Sequence, residues 1–436
     1  MVVIKDKRIK ISIKMDRIWI ILAIAAIMLA AMSSCDSDNE VSTGDDEVIN
    51  LLATATPIRL TEAQKQMRDN NNEFAWQLFQ TVQKKNDNDS SSVLSPLSVT
   101  YLLGMMDAGA AGSTRKEIST VLGFGDDVTA VNEYCKTMLD GAAGVDPAAT
   151  VKIANCIDVN SALGFSLLKQ YVDDMKHYYN AQIEALDFTK GGTLDIINKW
   201  CKDNTDGMIP SILDELNPNA AMYMLNAIYF KADWTAKFNK KFTRKMDFTL
   251  TNGTTVKREL MHIKALTLYG QDDTCSVLRL PFGNGAYSMY VLMPAEGMTT
   301  TDLIQGMTIQ DLNKHLDYIF KAEVDILVPK FETSSNTELI KTLTDMGITS
   351  AFDPYRADFS NMANAGLCVS KMLQKAKIEV NEDGAKAAAV TLSGFVLTCY
   401  EPTPRVDFHA TRPFLYLIRE ESTQSIFFIG TYCGES

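Results

Sequence analysis

Only four histidines occur in 436 residues: His177, His262, His315 and His409. They are scattered and lack the HExxH-type spacing that places two imidazoles on one metal. A serine or cysteine nucleophile therefore has no nearby base in the sequence. No GxSxG elbow, P-loop or dinucleotide GxGxxG is present. Gly283-Asn284-Gly285 lies between strand-like runs and reads as a hairpin turn, not a phosphate cradle. The adjacent carboxylates Asp126/Asp127, Asp173/Asp174, Asp272/Asp273 and Glu420/Glu421 sit in polar segments and are expected to be solvated. These absences argue against an enzyme. No catalytic group, metal or cofactor is expected.

Eight cysteines are present. Cys135, Cys156, Cys201, Cys275, Cys368, Cys399 and Cys433 are widely spaced, with no CxxC pair, so neither a disulfide framework nor a zinc site is implied. Small buried hydrophobes are the expected role for most of them. The net charge is -12, which speaks against a nucleic-acid partner.

The most informative stretch is Glu382-Asp383-Gly384-Ala385-Lys386-Ala387-Ala388-Ala389-Val390-Thr391. It follows a strand-like run, Lys377-Ile378-Glu379-Val380, and precedes Leu392 to Tyr400, then Pro402 and Pro404. Small and β-branched residues suit a loop, a short helix or a strand, so this segment tolerates two conformations.

The elements that must carry it run in a clear order. Thr61-Glu62-Ala63-Gln64 is a capping box, followed by Met67, Phe74, Leu78 and Val82 on one helical face. A second helix follows Ser95-Pro96-Leu97-Ser98 and ends at Gly109 to Gly112. A third runs from Ser113 to Gly123, and Leu194 to Trp200 begins another. Met222 to Phe230 is a nearly unbroken apolar run, as in a strand covered on both faces. Further strands are predicted at Met289 to Met293 and Val324 to Val328, with a hairpin from Phe414 to Ile429. Helices early and strands late give an α+β class.

Taken together, residues 61–436 resemble the serpin family. The resemblance rests on motifs in family order. They are Ser95-Pro96-Leu97-Ser98, then Leu225 to Trp234, Val328-Pro329-Lys330-Phe331, Met346-Gly347-Ile348 and Ala357-Asp358-Phe359-Ser360. Glu379 to Ala389, Phe408-His409-Ala410 to Pro413-Phe414, and Phe428-Ile429-Gly430 complete the set. The fold implied is α+β, with about three sheets, about eight or nine helices and an exposed reactive-centre loop near 382–404.

The activity implied is protease inhibition by a suicide-substrate mechanism. The loop is cut, an acyl-enzyme forms, and the loop inserts into the main sheet. Insertion requires alternate loop residues to fit a packed interior. Counted from Gly384, that set is Ala385, Ala387, Ala389, Thr391 and Ser393, all small and uncharged. Glu382, Gly384, Ala385, Ala387, Ala388 and Ala389 form the implied hinge. Seventeen positions from Glu382 end at Thr398, which puts the reactive bond at Thr398–Cys399, with Leu397–Thr398 and Tyr400–Glu401 as alternatives. Phe395, Val396, Leu397 and Tyr400 surround it without Arg or Lys, so a trypsin-like pocket would keep an unpaired acid. The expected targets are elastase-like and subtilisin-like serine proteases, then chymotrypsin-like ones and papain-like cysteine proteases. A non-inhibitory serpin that binds a ligand or partner is the alternative.

Support residues are implied as well. Ser95, Ser98 and Asn226 match the family's shutter under the sheet, where Gln374 stands in place of a frequent His. Trp234, Lys330 and Glu382 match the region where the loop enters, with a Lys330–Glu382 ion pair.

The N-terminus reads as an address. Residues 1–17 are basic, Ile18 to Ser34 carries no charge, and Ala31-Met32-Ser33-Ser34 precedes Cys35. This resembles a bacterial lipoprotein signal with lipidation at Cys35. The start is either Met1 or Met15. Residues 1–35 hold six basic and two acidic groups, so the remainder carries -16. Residues 36–60 read as an acidic tether. The expected product is a monomer, lipid-anchored in a bacterial envelope, at the outer membrane and exposed on its surface.

Overall fold

The alternation of side chains along one strand explains the layering. In the run Met222–Ala232, Met222, Met224, Ile228 and Phe230 belong to a large apolar core. Tyr223, Leu225 and Ala227 belong to a smaller one with Phe188, Ile197 and Trp200. Both faces of the strand are thus covered, as the unbroken apolar run predicts.

The computed structural model describes residues 49–50, 55, 57–85, 90–147, 149–382 and 403–435. The chain divides into two units, Met1–Glu47 and Val48–Ser436, and all described residues lie in the second. The signal, Cys35, most of the tether, and Gly384 through Tyr400 with the Thr398–Cys399 bond lie outside the described residues.

In chain order the elements are β1 (Ile49–Asn50), α1 (Glu62–Gln83), β2 (Ser92–Leu94), α2 (Pro96–Gly109), α3 (Gly112–Leu122) and α4 (Val128–Gly144). Next come β3 (Ala149–Asn160), α5 (Lys169–Tyr179), β4 (Gln182–Leu186), α6 (Thr193–Asn204), β5 (Met222–Ala232), β6 (Arg244–Thr249), β7 (Thr255–Gln271), β8 (Cys275–Pro281) and β9 (Tyr287–Pro294). The remainder is α7 (Thr300–Gly306), α8 (Ile309–Asp317), β10 (Phe320–Pro329), β11 (Phe331–Glu338), α9 (Ile340–Met346), β12 (Lys371–Val380), β13 (Arg405–His409), β14 (Phe414–Glu420) and β15 (Ser425–Tyr432). Among the described residues no helix is long and apolar enough to cross a membrane.

Two hydrogen-bonded sheets result among the described residues. The five-stranded sheet has the order β11-β12-β5-β3-β4. The ten-stranded sheet contains β13-β10-β7-β8-β9-β14-β15-β2, with β1 and β6 also on β7. The strands expected as a third sheet are continuous with the second because β7 is 17 residues long. It pairs with β6 up to Leu260, with β10 from Leu260 to Tyr269, and with β8 from Tyr269. At about 3.3 Å per residue, such a strand reaches across two groups of neighbours.

Local signals account for several of the helix starts. Thr61 and Gln64 form a reciprocal capping box at 3.0 and 3.2 Å. Ser95 caps α2 with Pro96 at its first position. Phe230 joins the two sheets by packing edge-on to Phe282 and Tyr287 and tilted to Phe428. Gly283-Asn284-Gly285 is the β8–β9 turn. A Cβ on Gly283 would meet Asp146 Oδ2 at 2.0 Å, so only glycine fits there.

One carboxylate expectation is corrected. Glu420 is 1% exposed, not solvated. Its carboxylate accepts from Ser422 N and Oγ at 3.0 and 2.6 Å and from Thr423 N and Oγ1 at 2.8 and 2.5 Å. Four donors replace water, which makes the burial tolerable. Glu421 is also largely enclosed, accepting from Arg279 Nε at 3.2 Å and Tyr290 Oη at 2.9 Å.

Candidate functional site

The site begins where β12 meets β5. These strands are adjacent and parallel over eight residue pairs, from Lys371 opposite Tyr223 to Ile378 opposite Phe230. Residues 381–404 then connect the end of β12, in the five-stranded sheet, to the start of β13, in the ten-stranded one. A chain that turns back at the end of β12 would run antiparallel to both β12 and β5. Both strands offer it a ladder only if they part.

Under that junction lies a row of amides. Gln374 on β12 stands opposite Asn226 on β5, and Asn226 opposite Asn155 on β3. All three are buried. Gln374 takes hold of the N-cap of α2 from both sides. Its Oε1 accepts from Ser95 N at 2.9 Å, and its Nε2 donates to Ser95 O at 2.7 Å. Ser95 Oγ lies 3.1 Å from Ser98 Oγ and accepts from Ser98 N at 3.4 Å. Asn226 Nδ2 donates to Asn155 Oδ1 at 3.0 Å, and Asn155 Nδ2 donates to Tyr179 O, at the end of α5, at 3.1 Å. Asn226 Oδ1 is buried with no hydrogen-bond partner among the described residues. β12 is thus pinned to the start of α2, β5 is tied to β3, and β3 is pinned to the end of α5, with one acceptor on β5 left available.

At the other end of the junction the start of the loop segment is held. Trp234 Nε1 donates to Asn381 O at 2.8 Å, and its ring stacks on Phe282 at 4.3 Å. Lys330 Nζ lies 3.2 Å from Glu382 Oε2, and Thr243 Oγ1 donates to Glu382 Oε1 at 2.8 Å. Burial alone would raise the Glu382 pKa. Its own backbone N–H, the Thr243 hydroxyl and Lys330 outweigh this and hold the carboxyl below the usual 4.5.

A depressed carboxyl stabilises the fold above its unfolded pKa, and that contribution is lost as pH falls through the folded value. Stability should therefore drop on acidification below 4.5, and Glu382→Gln should flatten that part of the profile. Urea unfolding across a pH series reads this; identical profiles for the two proteins would refute it. Lys330→Met should cost about 1 kcal/mol or less, because the ammonium is 42% exposed and screened.

The structure therefore brings Ser95, Ser98, Asn226 and Gln374 into one cluster, and Trp234, Lys330 and Glu382 into another. Gly384, Ala385, Ala387, Ala388, Ala389, Phe395, Val396, Leu397, Thr398, Cys399 and Tyr400 lie outside the described residues. Two participants escaped the sequence reading, Asn155 and Thr243; Asn381 lies within the Glu379 to Ala389 motif but has no role of its own there. Asn155 carries the clearest signal, an amide inside an apolar strand run. Thr243 carries none, since it becomes a partner only when β6 approaches the loop start.

Comparison with known proteins agrees with this geometry. Residues 69–434 match the family model described as serpin (serine protease inhibitor). The chain is 30% identical over 380 residues to human serpin I2, covering 85% of this chain and 92% of that protein. It is 31% identical over 370 residues to Iripin-2 of Ixodes ricinus, covering 83% and 91%. Among solved structures, native tengpin, a thermophilic serpin, aligns with a TM-score of 0.77 at 28% identity, covering 90% of this chain and 98% of that one. Thyroxine-binding globulin in complex with thyroxine aligns with a TM-score of 0.75 at 28% identity, covering 85% and 99%. The parallel seam between β12 and β5, the amide row beneath it and the family match over most of the chain lead to one statement: this protein belongs to the serpin family of serine protease inhibitors.

Proposed function

We propose that the protein traps proteases covalently, by cleavage near Thr398–Cys399 and insertion of the cut loop between β12 and β5. The observation that carries this reading is the parallel β12–β5 junction, with the loop segment leaving directly from β12. The sequence supplies the matching strand. Ala385, Ala387, Ala389, Thr391 and Ser393 are small enough for a closed interior, and Lys386 on the opposite face can stay in water. No catalytic group of this chain is needed, because the nucleophile belongs to the target.

The target class follows from Phe395, Val396, Leu397 and Thr398. Elastase-like and subtilisin-like serine proteases come first, then chymotrypsin-like and papain-like ones. The test is incubation with elastase and subtilisin, followed by a denaturing gel. The expected result is a stable band at the summed mass, with protease activity lost. Loop cleavage without such a band, and with protease activity retained, would overturn trapping and favour a ligand- or partner-binding serpin. Mass analysis of the released C-terminal peptide is expected to show Cys399 as its first residue. Another first residue moves the reactive bond.

The anchor is part of the same proposal. Lipidation at Cys35 places the inhibitor on a bacterial envelope membrane, on acidic residues 36–60 as a solvated tether, as a monomer facing external proteases. The Cys35→Ser protein should leave the membrane fraction; continued membrane association would refute the anchor.

A further inference from the structure

Three side chains that lie apart in the sequence meet beside the β7–β8 turn. Asp272 is in that turn, Cys275 opens β8, and His315 sits in the last turn of α8. One ligand atom from each lies within 4.8 Å of the other two. We propose that they form a binding site for a divalent transition metal. Zinc(II) is the best match to one thiolate, one imidazole and one carboxylate with a fourth position open.

The arrangement around the site suits a cation. Asp272 Oδ1 is committed to the turn, accepting from Thr274 N at 2.8 Å, Thr274 Oγ1 at 2.7 Å and Cys275 N at 3.1 Å. Asp272 Oδ2 is left to face His315 Nδ1 at 3.1 Å, and Thr274 Oγ1 lies 3.3 Å from His315 Nε2. The carboxylate oxygen and the ring nitrogen thus stand at the spacing of two ligands on one ion, with the Cys275 sulfur within 4.8 Å of both, so a single metal ion can bind all three.

The surroundings are already those of a metal site. Thr274 holds the outer nitrogen of the imidazole and the outer oxygen of the carboxylate, which fixes both ligands in orientation. Cys275 is 1% exposed, whereas the Asp272 side chain is 46% exposed and leaves an approach from solvent. On binding, the Cys275 S–H bond breaks, its proton goes to water and an S–metal bond forms. The ion closes a clip between α8 and the β7–β8 turn. Asp272, Cys275 and His315 take no part in the proposed trapping mechanism, so failure of either proposal leaves the other intact.

The full chain, stripped with a chelator, is titrated with Co2+ and then with Zn2+ in competition. The expected result is one equivalent of Co2+ bound with a thiolate-to-cobalt charge-transfer band, displaced by Zn2+. Cys275→Ser should abolish that band. His315→Ala and His315→Gln should each weaken binding about tenfold or more. Cys368→Ser, at a half-exposed thiol away from the cluster, should leave band and affinity unchanged. Metal-free melting of each variant confirms that it is folded. No band in the parent protein, a band that survives Cys275→Ser, or unchanged affinity in folded His315 variants would each overturn the site.

Discussion

Ala385→Arg turns the inhibitor into a substrate. The loop is still cut, but the complex with the protease no longer accumulates. In the proposed mechanism Ala385 is the first residue of the set that enters between β12 and β5. β5 is buried on both faces, and the face of β12 that carries Met372, Gln374, Ala376, Ile378 and Val380 is buried, so a guanidinium entering on that side leaves water and finds no partner. Burying an unpaired charge costs several kcal/mol, and each 1.36 kcal/mol on the insertion step is tenfold in rate. Insertion therefore slows about a hundredfold or more, and hydrolysis of the acyl-enzyme wins. Quantifying complex against cleaved inhibitor on a gel measures this partition directly. Lys386→Arg is the control, since its position faces water after insertion. Equal complex yields from Ala385→Arg and the parent protein would remove the hinge assignment.

Gln374→Ala loosens the main sheet before any protease arrives. The amide side chain satisfies Ser95 N and adds a second bond to Ser95 O, while the carbonyl keeps its α2 bond from Val99 N at 3.3 Å. Without Gln374 the buried Ser95 N–H has no acceptor, and a small cavity opens between β12 and α2. The combined cost is about 2–4 kcal/mol. Equilibrium unfolding reads that loss. A functional readout distinguishes this site from ordinary core damage: on warming, inhibitory activity should decay faster than secondary structure is lost, because strands that part more easily admit the uncut loop. Gln374→His, which can still accept and donate one bond each, should recover part of the stability and add a pH dependence near neutrality. If Gln374→Ala unfolds and inactivates like the parent protein, the amide row does not govern sheet opening.

Much of the scaffold was legible because its signals are local. The Thr61–Gln64 capping box, the Ser95-Pro96 start of α2 and the both-faces-buried run of β5 each depend on neighbours in sequence. The seam strand β12 was legible as the strand-like run that ends in Val380. By contrast, β3 begins with half-buried and exposed positions, so its pattern is blurred where a periodicity would start. Strand β7, not among the strands expected from the sequence, changes partners along its length, and this is why the expected third sheet is continuous with the second. Glu420 shows the limit most clearly. A carboxylate beside a polar turn looks solvated, and only the four donors folded around it explain its burial.

The sequence by itself determined the class of protein and the character of its loop. Ordered family motifs place the chain among the serpins, and small alternate residues from Ala385 onward specify what can be buried. These are properties of residue type and order, so they need no coordinates. The tertiary structure decided which polar groups meet. Asn155 reached Asn226 because β3 pairs with β5, Thr243 reached Glu382 because β6 comes up to the loop start, and His315 reached Asp272 because α8 packs on the β7–β8 turn. Each of these pairs joins segments distant along the chain. The physical reason is the same in all three: a hydrogen bond or ion pair is set by approach within about 3 Å, which only the packing of whole elements determines.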